Sequence, residues 1–191
     1  MTDDRQKRLI LASGSPRRRE LLAKMGYEFE ICAPDVDEHV SGHASDIVFT
    51  LAQRKAKAAA AHCASGVVIA SDTLVSLDGA PLGKPEDAND ARRMLRALSD
   101  REHEVFTGVC VMDAATGRTE TRSVRTGVTF RALTDDEIDA YVSTGEPMDK
   151  AGAYAIQGGA GAFVSKLDGE LENVIGFPVV EVKEILEHFG L

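Results

Sequence analysis

Three features of the chain put charge where a fold alone would not ask for it. The segment Ser15-Pro16-Arg17-Arg18-Arg19 has the form of a helix start, with Ser15 able to cap it and Pro16 suited to the first helical position. A helix N-terminus carries partial positive charge, so arginines there oppose the macrodipole. An anion at that terminus would resolve the conflict, because free N–H groups and guanidinium forks could both reach it. Arg17, directly after the Ser-Pro turn, is the candidate phosphate ligand. Arg18 and Arg19 are equally well explained as solvated surface residues.

The second feature is Asp72, in the run Gly66-Val-Val-Ile-Ala-Ser-Asp-Thr-Leu-Val. Strand alternation puts Val68, Ala70, Asp72 and Leu74 on one face and Val67, Ile69, Ser71, Thr73 and Val75 on the other. Both faces are largely apolar, so the strand is expected in the interior. A carboxylate there costs on the order of several kcal/mol unless it meets a cation, a metal or a catalytic duty. The third feature is Lys55. Ile47, Val48, Leu51, Ala52, Ala58 and Ala59 mark one apolar helical face, and Lys55 falls near its middle while Arg54 and Lys57 point away. Such a lysine either snorkels along a neighbour or turns inward to a phosphate or to Asp72.

Weaker signals surround these three. Gly83-Lys84-Pro85 follows the turn after the Asp72 strand and could return a lysine to the same cleft. Asp35, Asp37 and Glu38 form an acidic loop, with Asp35 and Asp37 expected to be solvated. The five histidines show no metal-ligand spacing and are not expected to be catalytic.

The elements that must position these residues follow from pattern and punctuation. Strands are expected over Arg8–Ser13, Tyr27–Cys32 and Gly66–Leu77, the last ending in the turn signal Asp78-Gly79. Helices are expected from Pro16 to about Met25, over Ser45–Cys63, Ala88–Leu98 and Asp135–Ser143 (capped by Thr134), and over Val179–Phe189. Val105–Met112 and Arg118–Phe130 should pair as a hairpin around Ala115-Thr116-Gly117, and a strand near Ala162–Lys166 should follow the glycines of 158–161. The mixture indicates an α/β protein with a mixed sheet, and 191 residues suit one domain over 1–191 or two small lobes sharing a core. No G-x-G-x-x-G follows a strand, which argues against a Rossmann unit.

Composition narrows the function. Hydrophobic residues make up 43% of the chain, enough for a sizeable core. A formal charge of -9, a 5% aromatic content and no Trp argue against a nucleic-acid surface, so an anionic small ligand must meet a local cluster of cations. The three cysteines are far apart and expected as reduced thiols. The apolar run Leu9–Ala12 is too short for a signal-peptide core or a membrane span, which gives a cytoplasmic expectation with no membrane partner.

Taken together, these segments resemble the Maf family of nucleotide pyrophosphatases. The matching pieces are LASGSPRRRELL, Ala70-Ser-Asp-Thr, Leu82-Gly-Lys-Pro, Leu98-Ser followed by His103 and Thr107-Gly-Val, Gly145-Glu-Pro, and Asp149-Lys-Ala-Gly-Ala-Tyr-Ala-Ile-Gln-Gly. They run in the family's order from about Leu9 to Pro178. The resemblance implies a two-lobed α/β fold around a central cleft, similar to inosine triphosphate pyrophosphatases, and a divalent metal, Mg2+ or Mn2+. It places the catalytic aspartate at Asp72 and the positions linked to substrate choice at Arg17, Thr73 and Gln157. A branch acting on dTTP and UTP carries Arg, Thr and Gln there, whereas the branch acting on 7-methyl-GTP typically has a Trp after Ser-Pro. The closing segment Gly169-Glu-Leu-Glu-Asn-Val-Ile-Gly-Phe-Pro departs from the family at Glu170 and Leu171, which predicts altered contacts near the bound nucleotide.

The expected reaction is hydrolysis of a nucleoside triphosphate, dTTP and UTP foremost, to the monophosphate and pyrophosphate. Asp72 would activate water or hold the metal, with Glu38 as its acidic partner. Arg17, Lys55 and Lys84 would offset phosphate charge, and Ser13 would add a hydroxyl or backbone contact. Gln157 would offer a donor and an acceptor to a pyrimidine edge, in a pocket shaped by Thr73. The competing readings are a pyrophosphatase for another modified or purine nucleotide, and a nucleotide-binding regulator of septum formation. Homodimer formation is compatible with either.

Overall fold

The computed structural model describes residues 7–191, so the first six residues of the expected 1–191 unit lie outside the described residues. One mixed sheet of seven strands organises the chain: β1 (Leu9–Leu11), β2 (Glu30–Ile31), β3 (Val67–Leu77), β4 (Ala80–Leu82), β5 (Glu102–Asp113), β6 (Thr119–Phe130) and β7 (Val164–Asp168). Its order is β2-β1-β3-β5-β6-β7, with β4 paired to β3. The contacts of β1 with β2 and β3 are parallel; all others are antiparallel. The expected mixed α/β sheet is therefore the one observed.

Among the described residues six α-helices surround it: α1 (Pro16–Lys24), α2 (Ala44–Ala60), α3 (Ala88–Leu98), α4 (Asp135–Ser143), α5 (Leu171–Ile175) and α6 (Val179–His188). Alternation along β3 sorts them. Val68 and Ala70 pack with Ala52, Ala56 and Ala59 of α2, while Val67 and Ile69 pack with Leu22 of α1 and with Val182, Ile185 and Leu186 of α6. Further along the same strand, Val75 and Leu77 join a separate core built with α3 and α4. β3 thus runs from a lobe with a core on each face of the sheet into a second lobe with a core of its own, and the lobes divide in the middle of β3.

The strand edge shows why they divide there. On the side of β3 away from β5, β1 pairs with Val67–Ile69 and β4 with Val75–Leu77. The residues between have no strand partner on that side, and Asp72, Thr73 and Leu74 are only partly covered while the flanking residues are buried. The expected interior strand is therefore interior at both ends and open in the middle.

Other expectations need correction. The strand over Tyr27–Cys32 shrinks to Glu30–Ile31, because β1 offers only a short edge and Tyr27 and Phe29 turn to pack on the core. Ser15 occupies the N-cap of α1, but its side chain makes no capping bond. Ala56, not Ala58, completes the apolar face of α2, and that helix comes so close to β5 that a Cβ on Gly108 would lie 2.1 Å from the Val48 carbonyl oxygen. The strand expected near Ala162–Lys166 begins at Val164, after a 3-10 turn at Gly159–Phe163. The Thr134 cap of α4 forms as a full capping box with Glu137.

Candidate active site

At the gap in the β3 edge lies a cleft of about 680 Å³. Because Asp72 shares its strand face with Val68 and Ala70, it points toward α2, and there it meets Lys55. The Lys55 Nζ lies 2.5 Å from Asp72 Oδ1 and 2.8 Å from Glu38 Oε1. Lys55 and Asp72 side chains are only 15% and 14% exposed. The hydrogen bond to Lys55 holds the Glu38 carboxyl below its ordinary range. Of the alternatives for Lys55, the pairing with Asp72 is the one seen, and Glu38 from the acidic loop is added to it. Arg54 and Lys57 are exposed, as helical phase required.

Thr73 points to the opposite face and meets Arg18 of α1. The Arg18 guanidinium donates to Gly176 O at 2.9 Å, to Ser13 Oγ at 3.3 Å and to Thr73 Oγ1 at 3.2 Å. Burial pulls this guanidinium below its ordinary pKa, against the opposing pull of Asp72. Arg18 is therefore neither a free surface residue nor an unanchored anion ligand: it is bracketed by the protein and still faces the cleft. Arg19 is exposed.

A run of hydroxyls continues from that contact. Thr107 Oγ1 donates to Asn173 O at 2.9 Å, so it accepts from Thr73 Oγ1 at 3.0 Å, and Thr73 in turn accepts from Arg18. Asn173 is itself pinned by donating to Val105 O and Thr126 Oγ1. Arg18, on α1, is thereby tied through β3 and β5 to α5.

Of the other residues singled out in the sequence, Arg17, Lys84 and Gln157 also line the cleft. Ser13 does not; it is buried behind Arg18, accepting from that guanidinium and from the Ser15 N–H. The cleft adds a residue that sequence reasoning passed over, Lys150, mostly buried and ion-paired to Asp149. It lies within the resembling segment Asp149-Lys-Ala-Gly, but neither periodicity nor a charge anomaly distinguished it. Glu170 and Leu171 do not line the cleft. Glu170 Oε1 accepts from the Val180 N–H at the start of α6, and Leu171 is 41% exposed; Val174 and Ile175, further along α5, face the cleft instead.

Among the described residues no group of three or more His, Cys, Asp or Glu side chains is arranged to hold a metal. The pair Glu38 and Asp72 fits a different mode. Both carboxylates converge on one cationic atom, and a magnesium-type ion commonly binds through one or two carboxylates and completes its shell with substrate phosphates and water. No described helix is long and apolar enough to cross a membrane.

A mixed sheet that parts over a cleft carrying a carboxylate pair and a ring of cations suits an enzyme of phosphoric anhydrides. The chain matches the Maf-like protein family over residues 8–189 and belongs to it. It is 51% identical over 187 residues to the dTTP/UTP pyrophosphatase of Anaeromyxobacter dehalogenans, covering 96% of this chain and 94% of that protein. It is 49% identical to the enzyme of the same name from Moorella thermoacetica, covering 96% of each chain. It is 45% identical to the one from Bdellovibrio bacteriovorus, covering 95% of this chain and 98% of that protein.

Proposed function

We propose that this protein hydrolyses dTTP and UTP to the nucleoside monophosphate and pyrophosphate. The observation that carries the reading is the convergence of Lys55, Asp72 and Glu38 at the stretch of β3 that faces the cleft where the two lobes part. The names of the relatives supply the nucleotides.

In the reaction a water oxygen bonds to the α-phosphorus, and the bond from that phosphorus to the α,β-bridging oxygen breaks. Pyrophosphate departs with the electron pair. Asp72 takes the proton of the attacking water. Arg17, Arg18, Lys84 and Lys150 meet the phosphate charge from the walls of the cleft, where partial exclusion of water strengthens each contact. Glu38 and Asp72 would hold the Mg2+ or Mn2+ ion. Bound there, the ion would neutralise phosphate charge and make water a better nucleophile. Gln157, at the cleft rim, offers both a donor and an acceptor to a pyrimidine edge.

A panel of nucleoside triphosphates assayed with Mg2+ and with Mn2+ tests the reading. The expected order by kcat/KM is dTTP and UTP first, with dATP and 7-methyl-GTP well behind. A preference for 7-methyl-GTP would refute the substrate assignment.

A further inference from the structure

Gln157 sits in a short turn whose two ends are held from below by α4 and the residues just after it. On one side the Ala155 N–H donates to Tyr141 Oη at 3.0 Å; on the other the Gly159 N–H donates to Glu146 Oε2 at 3.1 Å. The Gly158 N–H closes the turn on Ala155 O at 3.0 Å. Glu146 reaches this position only because residue 158 is glycine: a Cβ there would lie 2.0 Å from Glu146 Oε1. Gly159 is packed less tightly, with a Cβ there lying 3.1 Å from the Tyr141 ring. Tyr141 is buried, stacked edge-on against Phe163, and does not itself line the cleft. Burial, and then the Glu146 carboxylate, push its hydroxyl pKa upward, so it stays protonated and able to donate.

We infer that Tyr141 and Glu146 are positioning residues for substrate choice, presetting the 155–159 turn so that Gln157 closes the cleft at a depth that suits a pyrimidine. This rests on the reading that Gln157 meets the nucleobase. A turn held at both ends offers its side chain without a further ordering cost, and a fixed wall excludes a larger purine. Released from either clamp, the turn gives way and the larger base gains.

The test is a double-mutant cycle read as the ratio of kcat/KM for UTP to that for ATP, with melting temperatures measured alongside. Tyr141→Phe keeps the ring and removes the hydroxyl; Glu146→Leu keeps much of the size and removes both acceptor oxygens, and serves if the first variant fails to fold. Each should lower the UTP/ATP ratio by about threefold to tenfold, the effect of one hydrogen bond, through a higher KM for UTP together with a lower KM for ATP. In a Gln157→Ala background neither should lower it further. A purely structural role would reduce turnover of both nucleotides equally and leave the ratio alone. The inference is overturned if Gln157→Ala lowers the ratio while both clamp variants keep it, or if the clamp variants act equally with and without Gln157. If Gln157→Ala itself leaves the ratio unchanged, the base-contact reading fails and the inference with it.

Discussion

At the scale of single residues, the site is organised by one ammonium. Lys55 holds two carboxylates from different segments, one on β3 and one in the loop before α2. Lys55→Met keeps much of the apolar stem, removes the charge and leaves Asp72 and Glu38 without their common partner. A charge-assisted contact of this kind corresponds to about a tenfold to hundredfold change. The expected result is a fall of that size in kcat/KM for UTP, with Lys57→Met, exposed on the same helix, at the unmodified level. An unimpaired Lys55→Met would remove Lys55 from the site. Both Asp72 and Lys55 were legible in the sequence, because each places a charge on an otherwise apolar face and periodicity alone exposes the conflict. Arg18 was not separable from Arg19: they are adjacent and chemically identical, and only the distant Gly176 and Thr73 distinguish them. Gln157 and Thr73 carry no such anomaly and rested on resemblance.

Elements join these residues into a site. The line from Arg18 through Thr73 and Thr107 to the Asn173 carbonyl connects α1, β3, β5 and α5 by hydroxyls whose donor direction is set at its far end. Thr107 is fully buried, and Thr107→Val removes one of two contacts at each end: the Asn173 carbonyl keeps the Gly176 N–H and the Thr73 hydroxyl keeps Arg18, so the substitution should cost about 1 kcal/mol of stability. It should also raise the KM for UTP by freeing Arg18, and Thr107→Ser, which keeps the hydroxyl, should recover most of both losses. Equal KM in the two variants would show that the line does not position Arg18. Two elements of this region escaped sequence reasoning. β4 reads Ala-Pro-Leu, and proline argues against a strand unless it lies on an edge, as it does here. α5 is a helix of five residues, too short to show a period. The parting of β3 between β1 and β4 was illegible for the same reason, since it depends on pairings that no local pattern encodes.

For the molecule as a whole, stability responds to pH through a residue outside the cleft. His103 is buried against Phe130 and Tyr154 in the core of the α3 and α4 lobe, its Nε2 2.7 Å from Tyr154 Oη and its Nδ1 without a partner among the described residues. Burial lowers its pKa from 6.5 to about 4. The unfolded chain therefore takes up a proton below about pH 6.5 that the folded protein refuses until about pH 4, so stability falls as pH drops through that window. The component is on the order of 3 kcal/mol, and His103→Gln should flatten the dependence of melting temperature on pH between 7 and 4.5. An unchanged slope would place the sensitivity elsewhere. The central claim, that the cleft directs water to the α-phosphorus, is tested most directly by hydrolysing UTP in ¹⁸O-labelled water and locating the label by mass spectrometry. The account predicts label in UMP and none in pyrophosphate; label in pyrophosphate, or release of orthophosphate with UDP, would contradict it.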